Sequence, residues 1–253
     1  MICSTAPSES YAAQLARVST ALAAAQSRDV LEDITSDCGL GDVQRFVNNA
    51  VGERYRLLHE ELAFVALAFD NFTQLVDEYL QATPRQTYAL DSSDQERFLA
   101  WLRRTRVLDA RQSDFVGSQQ AEYACLAKAR ENRLAHVAFQ RSWTLSKQVT
   151  NGRQLEPAQE LQVNPIHVWS RLTIAGGDDD RGGEVNTIFL AIGQQVRSLW
   201  LTAEQIDPVR DLTQHNPTTL AAWTARHPRL TDREQLCEQL IDSGLIAALP
   251  RND

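Results

Sequence analysis

The sequence predicts an α+β protein that is mostly α: an amino-terminal helical bundle over residues 1–150, a connection over 151–164, and a small winged-helix-like β3α3 module over 165–253. Three observations predict it. Apolar residues recur at helical spacing through the first part. Glycines then crowd one stretch, Gly176, Gly177, Gly182 and Gly183, whereas Gly117 stands alone between Gly52 and Gly152. Beyond residue 165, β-prone runs give way to short segments with helix start and stop signals. The connection, from Thr150-Asn151-Gly152 to Asn164-Pro165, is polar and contains Pro157, as expected of a boundary.

In the first part, Tyr11, Leu15, Val18 and Leu22 share one helical face, and Val43, Phe46, Val47 and Ala50 share another. The strongest pattern is Leu58, Leu62, Val65, Phe69, Phe72, Val76 and Tyr79, with steps of three and four that predict one long amphipathic helix. After Pro84, Ser93-Asp94-Gln95-Glu96 reads as a capping box that opens a helix carrying Phe98, Trp101 and Leu102. A further helical pattern covers Phe115 to about Leu145, which gives a bundle of about five helices.

In the last part, Ile166 to Ala175 and Val185 to Ile192 flank the glycine-rich turn and predict a hairpin, and Val196 to Thr202 predicts a third strand. Helices follow at Ala203 to Thr213, where Pro208 falls in the opening turns, at Thr218 to Ala225, and at Asp232 to Ser243. Asn216-Pro217-Thr218 and Leu230-Thr231-Asp232 start the second and third, and Gly244 stops the last as a C′ glycine does.

Composition narrows the function classes. With a net charge of -8 over 253 residues, the chain disfavours nucleic acid and anionic membrane surfaces as partners. The last helix sharpens the point: Asp232, Glu234, Glu238 and Asp242 face a single Arg233, so a duplex backbone would be repelled from a helix placed to read it. Cys3, Cys38, Cys125 and Cys237 form no C-x-x-C pair and have no closely spaced histidine, which fits a reduced cytoplasm. The start, Met1 to Pro7, lacks the basic and apolar runs of a secretory signal. The longest apolar stretch, Leu62 to Phe69, is far short of the ~20 residues that span a bilayer. A cytoplasmic location is expected.

Several motifs reduce to structure. His59-Glu60 lacks the second imidazole of H-E-x-x-H, because Ala63 stands there, and reads as a solvated helix face. His136 has no accompanying carboxylates at metal-bundle spacing, and Asp178-Asp179-Asp180 lacks the ligand spacing of an EF-hand loop. Cys125 and Cys237 fall within helical patterns as small buried groups. No metal ligands, catalytic residues or cofactor site emerge in this chain.

Two surfaces carry binding expectations. Trp101, Arg103, Arg104 and Arg106, with Arg97 and Arg111 nearby, form the one basic concentration, and Arg and Trp are the residues that interfaces favour. The third strand supplies the other: Arg197, Leu199 and Leu201 point to one side, and Val196, Ser198 and Trp200 to the opposite side. A free edge there offers unpaired backbone groups to an extended peptide, with the last helix contributing Arg233, Leu236, Gln239 and Leu240.

Leu199-Trp200-Leu201-Thr202, Thr219-Leu220-Ala221-Ala222-Trp223 and Glu234 to Leu240 before Gly244-Leu245-Ile246 resemble the peptide-recognition module of ribosomal peptide pathways, which binds a leader or carrier peptide as an added strand. Gln119-Gln120-Ala121-Glu122-Tyr123 and Arg130-Glu131-Asn132-Arg133 look like the accessory subunits that accompany multinuclear non-haem iron enzymes acting on peptidyl cysteine. The partner family of the 3-thiaglutamate pathway is the nearest resemblance, and that of the methanobactin pathway a more distant one. The resemblance implies a non-catalytic subunit that binds a precursor or carrier peptide, with the iron and the oxidative chemistry in a separate catalytic subunit. The alternative from another class is a transcriptional regulator with a carboxy-terminal winged helix.

Overall fold

A computed structural model of the protein describes residues 52–83, 92–150, 155–173, 184–230 and 232–249. The helical patterns expected at 11–22 and 43–50, together with Cys3, Cys38 and the turn at 176–183 with its aspartates, lie outside the described residues. The protein is mixed α/β with two small three-stranded antiparallel sheets. Packing groups the chain into two compact units, residues 1–107 and 108–253.

In the first unit, helical residues 52–61 (α1) lead into α2 (Ala63–Ala66), followed by α3 (Phe72–Ala82) and α4 (Asp94–Thr105). All seven residues of the expected long stripe are buried, but the helix is not continuous. Leu67, Ala68 and Phe69 donate to carbonyls only three residues back, and the chain turns through Asp70-Asn71 before α3. Residues of this type compete for helical hydrogen bonds and favour caps, so the apolar face survives while the axis breaks. Ser93 caps α4 through the expected box, with Glu96 returning to the Ser93 N–H at 2.7 Å.

The aromatic core of this unit joins Phe72, Tyr79, Phe98 and Trp101 in edge and stacked contacts. Beside it, Arg54 grips Asp94 with two bonds of 2.7 and 3.0 Å and the Thr83 carbonyl with a third, while the Tyr79 hydroxyl donates to the same Asp94 carboxylate at 2.7 Å. Burial raises the Asp94 carboxyl, but the bonds from Arg54 and Tyr79 and the charges of Arg54 and Arg97 outweigh it and hold the group below its ordinary range. Burial, followed by the bond to Asp94, pushes Tyr79 up to about 12. His59 is not a simply solvated residue: it is half-buried, 4.4 Å from the Tyr55 ring and edge-on to Phe72.

The second unit begins with α5 (Ala110–Glu131) and α6 (Arg133–Thr150), which the expected division at residue 150 placed in the first bundle. The single pattern expected over 115–145 is interrupted at Asn132. Next come β1 (Glu160–Val163), β2 (His167–Thr173), β3 (Glu184–Ile192) and β4 (Gln195–Leu201). The chain continues through α7 (Ala203–Gln214), β5 (Thr218–Thr219), α8 (Leu220–Arg226), α9 (Arg233–Ser243) and β6 (Ile246–Leu249). The expected β2-β3 pairing and the third strand are present, in the order β2-β3-β4.

A second sheet, β5-β1-β6, was not expected, and its central strand lies in the stretch read as a connection. The alternation Glu160-Leu161-Gln162-Val163 explains it, because Leu161 and Val163 are buried against the same core as Ile246 and Ala248. That core also takes Ile188 and Leu190 of β3, Leu199 and Leu201 of β4, Trp223 of α8, and Leu236 and Leu240 of α9.

The opposite face of the β2-β3-β4 sheet packs on α5 through Ala121 and Cys125, which meet Leu172, Phe189, Val168 and Val196. Helical periodicity shows that α5 has a buried side but not what buries it. Asn164 joins the two sheets: its side chain donates to the carbonyls of Ala191 and Gly244 and accepts from the Ile166 N–H, all within 3.1 Å. Gly244 has φ 87, as expected of a C′ glycine, and a Cβ there would collide with Ile192.

Candidate binding edge of the three-stranded sheet

β4 is one of the two terminal strands of its sheet, the other being β2, and the β3-β4 turn fixes which β4 backbone groups face outwards. Gly193 has φ 64 and no non-glycine residue described has a positive φ, so the two-residue turn Gly193-Gln194 is of type II′. Such a turn closes on a pair that exchanges both hydrogen bonds, here Ile192 with Gln195. Hydrogen-bonded pairs then recur at Leu190/Arg197, Ile188/Leu199 and Asn186/Leu201. The N–H and C=O groups of Val196, Ser198 and Trp200 therefore point away from β3. Among the described residues no strand pairs with them.

The side chains divide by the same alternation. Leu199 is buried in the core with Leu201, while Arg197, on the same face, is exposed. On the other face Val196 is half-buried against the α5 cluster, Ser198 is exposed, and Trp200 is 58% exposed. The core around α7, α8 and α9 thus covers one face of β4 and α5 covers part of the other, leaving Trp200 open.

Near the turn, α6 supplies residues that sequence reasoning left in another domain. His136 Nε2 lies 3.2 Å from the Gly193 carbonyl oxygen. Trp143 Nε1 donates to the Ile241 carbonyl at 2.5 Å, which ties α6 to the end of α9. Arg197 lies over the Trp143 ring at 5.8 Å and Lys147 at 5.3 Å, while Lys147 pairs with Asp242 at 3.5 Å and Arg197 donates to the Asp242 carbonyl at 3.4 Å. Lys147 thus meets the Asp242 carboxylate, and Arg197 the backbone carbonyl of the same residue. The spacing of Trp143 and Lys147, one helical turn apart, was the available signal for a shared face.

On α9, Leu236 and Leu240 are buried in the core and cannot contact a guest, which removes them from the expected peptide-binding set. The physical reason is that their spacing matches the buried stripe completed by Cys237 and Ile241. Arg233 uses its guanidinium on the carbonyls of Leu230 and Pro228, and Gln239 accepts from Gln205 at 3.4 Å. Glu234, Gln235, Glu238 and Asp242 form the exposed side.

The expected docking cluster of the first unit is also altered. Trp101 is only 7% exposed and stacks on Phe98, so it is a core residue rather than an open anchor. Arg106 lies over the Trp101 ring at 5.5 Å and pairs with Glu78. Arg103 and Arg104 remain exposed in the last turn of α4.

Burial pushes Cys125 up to about 11 and Cys237 up to about 12, which keeps both thiols protonated and inert at neutral pH. Asp211, Arg226, His215 and His227 form another polar cluster, in which Arg226 and His215 lie within 2.9 Å of the Asp211 carboxylate. Among the described residues no group of His, Cys, Asp and Glu side chains is arranged to hold a metal ion, and no helix is long and apolar enough to cross a membrane. No protein-family model matches the chain, and neither a curated protein nor a solved structure matches it.

Proposed function

We propose that this chain is a non-catalytic partner subunit of a heteromeric peptide-modifying enzyme. In this reading it captures a ribosomally made precursor or carrier peptide as an extra strand on β4 and presents the peptide's cysteine to an iron-dependent oxidative subunit. The order β2-β3-β4-α7-β5-α8-α9, three strands followed by three helices with the two-residue β5 between the first two helices, supports a winged-helix-like module for this task, with the resemblance described above supplying the pathway. The observation that carries peptide capture is the outward set of backbone groups at Val196, Ser198 and Trp200, flanked by an exposed tryptophan. The acidic exposed side of α9 supports a polypeptide guest over a nucleic acid. Exposed Arg103 and Arg104 are candidates for contact with the catalytic subunit.

The alternation of β4 gives the test. Ser198→Pro removes an outward N–H and leaves pairing with β3 intact, whereas Arg197→Pro removes an inward one. The expected outcome is a folded Ser198→Pro protein that no longer binds the extended synthetic peptides that the unsubstituted chain binds, and an Arg197→Pro protein that loses amide protection along β3. Undiminished peptide binding by folded Ser198→Pro overturns capture at this edge. Stoichiometric co-purification with an iron-containing protein tests the remainder of the proposal.

A further inference from the structure

We infer that the edge reads its guest by two cross-strand pairs, selecting an antiparallel segment in which an aromatic or β-branched residue is followed three positions later by a carboxylate. The inference deepens the strand-capture reading and rests on it. In an antiparallel pair, residues directly opposite one another place their side chains on the same face. A guest bonded to the outward groups of Val196, Ser198 and Trp200 makes its hydrogen-bonded pairs with those residues, and non-hydrogen-bonded pairs with Arg197 and Leu199. Non-hydrogen-bonded pairs bring side chains closest, at a Cα separation of about 4.5 Å. The guest residue opposite Arg197 is therefore held tightly against it.

Arg197 and Lys147 flank the Trp143 ring; Lys147 pairs with the Asp242 carboxylate, whereas Arg197 donates to the Asp242 backbone carbonyl, so this end of the edge favours a negative guest residue and disfavours a positive one. At the other end Trp200 offers an open indole on the α5 side of the sheet. Its cross-strand partner gains most when aromatic or β-branched. Because the strands run in opposite directions, the residue opposite Arg197 lies three positions carboxy-terminal to the one opposite Trp200, and on the other face.

The arrangement can be probed with a fluorescein-labelled synthetic peptide of about ten residues, alternating threonine and valine around a phenylalanine and, three positions later, a glutamate. Anisotropy titration of the full chain is expected to show roughly fivefold weaker binding when that glutamate becomes lysine. Arg197→Glu should reverse the preference, and Arg197→Gln, which introduces no repulsion with Asp242, should abolish it. Reversing the order of phenylalanine and glutamate should weaken binding, because the pairing is antiparallel.

N-methylation of the peptide backbone separates this inference from the reading beneath it. Methyl groups at the phenylalanine and two residues beyond it should block binding, while those at the intervening residue and at the glutamate should be tolerated. Alternating sensitivity without discrimination between glutamate and lysine overturns the side-chain code and leaves strand capture standing. Uniform sensitivity, or no binding by any peptide of the set at millimolar concentration, overturns both.

Discussion

The two units use comparable residues in opposite ways. In the first, two members of the expected docking surface complete internal contacts, Arg106 on Glu78 and Trp101, and Trp101 on Phe98, and Arg54 closes on Asp94, which also accepts from Tyr79. In the second, β4 leaves backbone groups outward and a tryptophan more than half exposed at one edge of its sheet, while on the opposite edge strand, β2, the Thr173 N–H and the His167 carbonyl are met by Asp114 and Lys128. Residue type alone, arginine or tryptophan, is therefore a weak guide to binding. What distinguishes an available surface is whether its hydrogen-bonding groups already have partners.

The largest expected effect breaks the closed side of that comparison. Asp94→Ala leaves the Arg54 guanidinium, 11% exposed in its side chain, without its carboxylate, and should cost about 3 kcal/mol. Hydrogen exchange should report the loss in α3 and α4. The same contact has a defined pH dependence. Asp94 is lowered in the folded protein, so its stabilisation is complete above the unfolded carboxylate value of about 3.9 and fades as pH falls through the lower folded value. Wild-type α3 and α4 should lose protection over that acid range. Asp94→Asn, lacking the titrating group, should show a flatter profile. Equal acid sensitivity in the two proteins would remove Asp94 as the cause.

Asn164→Ala tests whether the open edge depends on the hub between the sheets. The substitution strands the Ala191 and Gly244 carbonyls and the Ile166 N–H in a buried site, with an expected cost of about 2–3 kcal/mol. Urea melts should show the loss. Because Ala191 pairs with Val196, peptide affinity should fall with it even though Asn164 is fully buried and meets no guest. A destabilised protein with unchanged affinity would show that the edge is held by the hairpin alone.

Much of this architecture was legible in the sequence. The capping box at Ser93, the β2-β3 hairpin, β4, the three following helices and the Gly244 stop all follow from local signals, because caps, turns and alternation act over a few residues. What was not legible involved partners distant in the chain. Leu161 and Val163 are too short a run to announce β1, and they become a strand because β5 and β6 flank it. Trp143 and Cys125 sit on helices whose periodicity is clear, yet only the fold shows that they meet α9 and the sheet. At the edge, the alternation of Val196, Ser198 and Trp200 was readable, but which set of backbone groups faces outwards depends on the phase set by Gly193.

The smallest expected stability effect gives the finest test of the contrast, through two tryptophans. Trp101→Ala empties a site in the aromatic core that is 7% exposed and should cost about 3 kcal/mol, with no direct effect on peptide capture. Trp200→Ala removes a side chain that is 58% exposed and should change stability by no more than about 0.5 kcal/mol, while weakening the phenylalanine-containing peptide severalfold. Trp200→Phe should restore most of the affinity, since the cross-strand pair needs an aromatic face rather than an indole N–H. Calorimetry and anisotropy on the same preparations separate the two quantities. If Trp200→Ala melts early, its exposed ring supports the fold; if it binds as wild type, the guest bypasses that end of β4.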